Sequence, residues 1–176
     1  YDSSKGIHPL NQEIYNVLRD PIALKEKLDS FKDQSSKQKF LDSLVAGLSI
    51  YGASPDALLV LAKEDDPNIR SHVAENENTP VEALLMLAAD RRYRFIVARN
   101  KKLPPDVLAS FIEDDPSDFL KILVAQHPNT SPETLTVLTT DKSAIVRTVA
   151  IAALEQRTLT EAVIFHKVIA KLSKLI

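Results

Sequence analysis

The stretch "IRSHVAENENTPVEALLMLA", Ile69 to Ala88, decides how the rest of the chain is read. Its first half crowds Arg70, His72, Glu75, Asn76, Glu77 and Asn78 around the apolar pair Val73 and Ala74, as a site of chemistry would. Its second half is an apolar helix opened by Thr79 and Pro80. An active site normally occurs once, whereas structural punctuation recurs. This stretch recurs. An acidic column runs through Asp56, Glu82, Asp106 and Glu133, separated by 26, 24 and 27 residues. Two residues later stand Leu58, Leu84, Leu108 and Leu135, and three beyond those Leu61, Leu87, Phe111 and Leu138. Spacing of i, i+3 puts both apolar columns on one helical face.

A second set of columns follows. Ile69, Tyr93, Leu120 and Val146 form one, and Val73, Val97, Val124 and Ala150 form another four residues on, which predicts a second short helix per unit. Before the first full unit, "FLDSLVAGLSIYGASP" fits the second half-pattern through Leu41 and Val45. After the last, Glu161 and Val163 fall in the acidic and leucine columns, so the array is expected over residues 38–165.

The unit boundaries have physical causes. Ser54 with Pro55, Thr79 with Pro80 and Ser131 with Pro132 place a capping hydroxyl before a proline whose fixed φ suits a first helical turn, and Pro104 with Pro105 does similar work. Asp66 with Pro67 and Asp115 with Pro116 are expected to start second helices by the same device. Asn76, Asn100 and His127 close those helices, and for asparagine a left-handed backbone is the expected means.

A unit of about 25 residues with two short helices cannot bury its apolar faces alone, so neighbours must stack. The expected fold is all-α, an α-solenoid of two-helix repeats. Residues 1–33 are read as a tail and helical cap, with helical spacing at Leu24, Leu28 and Phe31. Residues 34–176 are read as the repeat array with a C-terminal capping helix, and the polar run 33–38 as a joint.

The phrases "VAENENTPVEALLMLA", "VARNKKLPPDVLASFI" and "VAQHPNTSPETLTVL" resemble the variant leucine-rich repeat, a bacterial repeat distinct in structure from ordinary leucine-rich repeats. The resemblance implies a right-handed superhelix of alternating α- and 3₁₀-helices, akin to HEAT repeats. It implies little about activity, since such arrays are mostly read as interaction surfaces. One member type carries an iron–sulfur module held by cysteines, and this chain has no cysteine. That composition also removes disulfides, thiolate metal sites and cysteine nucleophiles.

Composition narrows the classes further. The chain is 44% hydrophobic and 26% charged with net charge −2, so no global positive field gathers nucleic acid or anionic membrane. No apolar run is long enough to span a bilayer, and a soluble, cytoplasmic protein is expected. The chain opens on Tyr1, not methionine, and is read as a processed form or a piece of something larger.

Candidate contacts are basic. Arg70, Arg94, Lys121 and Arg147 each follow the first apolar column of the second helix, and stacking aligns them into a stripe suited to phosphates or an acidic peptide. The competing reading pairs each cation with a carboxylate, Asp66 with Arg70 and Asp90 with Arg94 at i, i+4. The block "RRYRFIVARNKK", 91–102, is the strongest local charge. Stacking would neutralise Arg91 and Arg92 between the acidic turns at 64–66 and 113–115, leaving Arg99, Lys101 and Lys102 as contacts. His8, His72, His127 and His166 lack metal-ligand spacing, and neither a phosphate loop nor a nucleophile motif occurs. No cofactor is expected. In "TEAVIFHKVIAKLSKLI", Val163, Ile164, Val168, Leu172 and Leu175 alternate with Lys167, Lys171 and Lys174, a pattern that fits a closing helix, a dimer contact or a membrane-surface helix.

The leading expectation is a non-enzymatic scaffold for a protein or peptide. The alternatives are a nucleic-acid-binding module of HEAT-like type, with base repair as its extreme form, and a purely structural segment of a larger protein.

Overall fold

The computed structural model describes residues 9–172; His8, Lys174 and Leu175 lie outside them, as does the side chain of Leu172. Every regular element among the described residues is a helix. The chain divides into two compact units, Tyr1–Leu103 and Pro104–Ile176.

The first unit holds α1 (Pro9–Val17), α2 (Pro21–Ser30), α3 (Gln34–Tyr51), α4 (Pro55–Ala62), α5 (Pro67–Glu75), α6 (Val81–Ala88), a 3₁₀ turn (Arg91–Tyr93) and α7 (Arg94–Val97). Opening helices stack on one another, α2 on α4 and α4 on α6, while closing helices stack as α3 on α5 and α5 on α7. This two-row stacking is the local order of an α-solenoid. The second unit holds α8 (Pro105–Asp114), α9 (Asp118–Gln126), α10 (Pro132–Leu138) and α11 (Ala144–Leu172), with α9 and α10 both packed on α11.

All four apolar columns are buried, from Leu58, Leu84, Leu108 and Leu135 through to Val73, Val97, Val124 and Ala150. At about 1.5–3 kcal/mol for each large side chain removed from water, these columns dominate the favourable side of folding. The acidic column is exposed in the first turn of each opening helix, where carboxylates complement the N-terminal end of the helix dipole.

The repeat grammar extends further toward the N-terminus than its columns suggest. Asp20 caps α2 through the N–H groups of Ile22 and Ala23, with Pro21 at the first position, and Leu24 is buried beneath. Residues 34–38 are not a joint but the first turn of α3, because the Asp33 carboxylate accepts from Ser36 N at 2.8 Å. α1 crosses α3 where Gly47 leaves room: a Cβ there would stand 2.3 Å from Ile14 Cγ2. Gly52, at φ +66°, then ends α3.

Ser54, Asp66 and Ser131 cap their helices as expected, but Thr79 does not. Its buried hydroxyl donates instead to Val73 O, tying the end of α5 to the start of the next unit, and Thr130 does the same to Val124 O. Pro80 occupies the cap position of α6 without a side-chain bond. Beyond Pro116, Ser117 is the residue that caps α9, while Asp115 accepts from Ser117 N.

The expected alternation with 3₁₀-helix occurs in one unit, at Arg91–Tyr93; α5, α9 and α11 are α-helical. The cause is length. Leu61 to Ile69 spans eight residues, whereas Leu87 to Tyr93 spans six, so a tighter turn must bring Tyr93 into its column.

The closing residues also differ from expectation. No non-glycine residue among those described has positive φ; Asn76 and His127 sit at φ −72° in extended backbone. Their side chains close the turn instead: Asn76 Oδ1 accepts from Asn78 N at 2.9 Å, and Asn100 Oδ1 from Lys102 N at 3.1 Å. His127 Nδ1 accepts the equivalent bond from Asn129 N at 3.1 Å, which is how a histidine fits an asparagine column. Asn100 adds an inter-repeat staple, its Nδ2 donating to Ala74 O at 2.9 Å and Asn76 O at 3.1 Å.

Beyond Ala150 the chain keeps its helix. α11 runs unbroken to Leu172, so Glu161 and Val163 do not open a fifth unit. No glycine or proline lies between 144 and 172 to break it. Every residue from 158 to 171 is exposed, and this overhang covers no core face among the described residues.

The Asn100 staple makes a testable distinction. Asn100→Ala removes the bonds to the buried Ala74 carbonyl and the part-buried Asn76 carbonyl and is expected to lower stability by about 1–3 kcal/mol. His127→Asn keeps an acceptor in the turn and should change the urea midpoint far less than His127→Ala; denaturation followed by circular dichroism reads both.

Candidate functional site

The basic column lies against the turn that joins the two helices of each unit. Arg70 Nε donates to Glu64 O at 2.7 Å, Arg94 Nε to Ala88 O at 3.2 Å, and Arg147 Nη1 to Asp141 O at 2.8 Å. All three span six residues backward, so one device is repeated: a guanidinium from the second helix satisfies a carbonyl left open as the first helix ends. Arg147 Nη1 also reaches Lys142 O. Lys121, lacking the fork of an arginine, is directed to Asp141 Oδ2 at 2.6 Å, one unit further on.

Burial agrees with these roles. Arg94 is 8% exposed and Lys121 9%, while Arg70 and Arg147 are half-buried. The i, i+4 carboxylate pairs expected from spacing are replaced by other partners. Asp66 aims Oδ1 at Ile69 N as a helix cap and Oδ2 at Gln38. Arg70 meets Asp65 at 3.3 Å, and Glu64 meets Lys37 at 2.7 Å, so the acidic turn at 64–66 is tied largely within its own surroundings. Asp90 takes Arg92, with Nη2 to Oδ2 at 2.7 Å, and this hydrogen bond holds the Asp90 carboxyl below the ordinary aspartate range.

The remaining candidates are Arg99, Lys101 and Lys102. All three are exposed on the turn after α7, and between them Asn100 is buried and stapled to the preceding unit. Among the described residues neither Arg99 nor Lys102 is held in an ion pair. Leu103, fully buried, anchors the turn on its far side, and its N–H donates to Asn100 O at 3.0 Å. Three cations therefore project from backbone fixed on both sides.

His72 Nδ1 lies 2.8 Å from Asn68 O on its own helix, and His166 is exposed on α11. Among the described residues no group of three His, Asp or Glu side chains is placed to hold a metal ion, and no helix is long and apolar enough to cross a membrane.

One residue that column matching passed over is Arg157. Its Nη2 donates to His127 O at 2.9 Å and Pro128 O at 3.3 Å, and its Nη1 to Thr130 O. In the first unit Asn100 performs the matching service for the residues around Asn76. The fourth repeat has Ala153 in the asparagine column, and Arg157, one turn later on α11, reaches back in its place. The missing asparagine followed by an arginine at i+4 was the available signal.

The Lys121–Asp141 bond, followed by the Ser143 N–H, lowers the Asp141 carboxyl below its ordinary value of 3.8. A carboxylate lowered in the folded state stabilises fully above that ordinary value and loses its contribution as pH falls through the folded value. Asp141→Asn is therefore expected to lower stability by about 1–3 kcal/mol at neutral pH and to flatten its decline below pH 3.8. Urea midpoints measured across the acid range check both effects.

Comparison with known proteins bears on the repeat itself. Residues 67–92 match the family model described as leucine rich repeat variant, and they cover α5, α6 and the start of the 3₁₀ turn. No curated protein and no solved structure matches the chain. The columns around the matched segment extend one grammar across the described helices, so the chain is a helical-repeat protein in which residues 67–92 match the leucine rich repeat variant.

Proposed function

We propose that the chain is a non-enzymatic binding scaffold that holds an acidic protein or peptide segment at the turn formed by Arg99, Lys101 and Lys102. The observation that supports this reading is the locked backbone of that turn. Asn100 and Leu103 are buried on either side of the exposed cations, so ordering a ligand there costs little protein entropy. Arg70, Arg94, Lys121 and Arg147 belong to the same reading as the frame of the scaffold, since each spends its hydrogen bonds on the turns of the repeats.

A non-catalytic role accords with the acids as well. Asp66, Asp90, Asp115 and Asp141 all accept from backbone N–H groups at helix starts or turns, and each recurs with the repeat or serves one of its turns.

Fluorescence anisotropy with a labelled oligoglutamate peptide tests the proposal. Binding at low ionic strength should weaken about tenfold or more, or ~1.4 kcal/mol, when Arg99, Lys101 and Lys102 are all changed to Glu. Reversal of Lys167 and Lys171 on α11 should leave it unchanged. A single-stranded DNA oligonucleotide bound more tightly than the peptide, with a steep salt dependence, would replace this reading with nucleic-acid binding.

A further inference from the structure

Each opening helix turns two positions toward solvent just past its buried leucine. In α4 these are Leu59 and Val60, and in α6 they are Leu85 and Met86. Leu85 is 44% exposed and Met86 41%, and Val81, at i, i+4 from Leu85, is 39% exposed. Leu59 and Val60 are half-buried. In α2 the same two positions hold Lys25 and Glu26, and the repeats of the second compact unit hold Ala109 with Ser110 and Thr136 with Val137. Two large apolar side chains together are thus confined to α4 and α6, which stack directly on each other. The repeat does not need them, since Leu24, Leu108 and Leu135 are buried in helices that lack such a pair.

A carboxylate stands on the same face of each helix. Asp56 precedes Leu59 and Val60 by three and four residues, and Glu82 precedes Leu85 and Met86 by the same intervals, so each lies one turn from its apolar pair. Both carboxylates are exposed, and among the described residues neither is held in an ion pair. The acids at the other end of these helices are spent by contrast: Glu64 on Lys37, Asp65 on Arg70, Asp66 on Gln38 and Asp90 on Arg92.

We propose that this face holds a basic amphipathic helix of a partner protein, laid across α4 and α6 with its apolar side on Leu59, Val60, Val81, Leu85 and Met86 and its cations beside Asp56 and Glu82. Charge complementarity selects the occupant. An apolar patch edged by carboxylates that lack cations favours a ligand edged by lysine or arginine. The spacing fits as well. Packed helices lie about 8–10 Å apart, and two turns of a crossing helix rise about 10.5 Å, so occupant residues seven apart meet the same position of successive repeats. Met86, the only methionine in the chain, has an unbranched side chain that adapts to such a surface. A second copy seated through the same patch would instead gather the Asp56 and Glu82 carboxylates of both chains without a cation between them.

Fluorescence anisotropy with a labelled leucine–lysine peptide, patterned as an amphipathic helix, tests the assignment on the full chain. The wild type should bind this peptide and not its leucine–glutamate counterpart, and the methyl resonance of Met86 should move as peptide is added. Leu85→Ser with Met86→Ser should weaken binding about tenfold or more while keeping the urea midpoint near the wild-type value, because both side chains are exposed. Asp56→Asn with Glu82→Gln should weaken binding and flatten its salt dependence. Arg99, Lys101 and Lys102 all changed to Gln should leave it intact, which separates this face from the basic turn. Unchanged affinity in the Leu85→Ser, Met86→Ser variant, or equal binding of the leucine–glutamate peptide, would overturn the proposal. So would a wild-type dimer that the same variant renders monomeric, since the face would then belong to a second copy.

Discussion

A unit of two short helices has nearly as many helix ends as helix turns, and each end leaves backbone groups without an intrahelical partner. Once apolar columns have fixed the stacking, those orphaned carbonyls and N–H groups would be shut away from water. Their satisfaction governs which polar residues the repeat can use. Hydroxyls and carboxylates of Ser54, Asp66, Asp90, Ser117 and Ser131 take the N–H groups at helix starts. Arg70, Arg94 and Arg147 take carbonyls where the first helix ends, and Asn100 and Arg157 take those where the second ends. The stack is held by burial, but its register is set by these bonds.

This division explains what could be read from the chain before its coordinates. Apolar columns are one-dimensional patterns, so Leu58, Leu84, Leu108 and Leu135 announced their burial through spacing alone. The service of Arg70 was ambiguous, since an arginine one residue past an apolar column can face a carboxylate, a phosphate or a carbonyl six residues back. Only the folded turn brings Glu64 O within reach of Nε. Thr79 misled for the opposite reason: Thr-Pro is a helix-start signature, yet its buried hydroxyl found a nearer acceptor in Val73 O. Asp20 with Pro21 and Leu24 did carry the repeat signature, obscured because α3, at 18 residues, is twice the length of the next closing helix, α5, at 9. The continuity of α11 was also present in the sequence, as an absence of glycine and proline rather than as a motif. For the basic turn, the cations were visible but the fixation of Asn100 between them was not.

Among the described residues, two exposed stretches differ in kind. The turn at Arg99, Lys101 and Lys102 is small, charged and rigidly held, suited to a ligand selected by electrostatics. The end of α11 is exposed along its length and holds Leu159, Val163, Ile164, Phe165, Val168 and Ile169 in water on all its sides. They lie in different compact units of the chain and make separable demands on solution conditions, since salt screens the first and strengthens effective burial at the second.

The two residues missing between Leu87 and Tyr93 carry a dynamic consequence. α7 has four residues and the 3₁₀ turn before it three, so this closing segment has few backbone hydrogen bonds to lose when it opens. Its order rests instead on side chains: Tyr93, Val97 and Ala98 in the core and Arg94 on Ala88 O. Segments held in this way open locally at lower free energy than longer helices do. Amide protons from Arg91 to Ala98 are therefore expected to exchange sooner than those of α5, while the Asn100 staple and buried Leu103 keep the basic turn beyond them fixed.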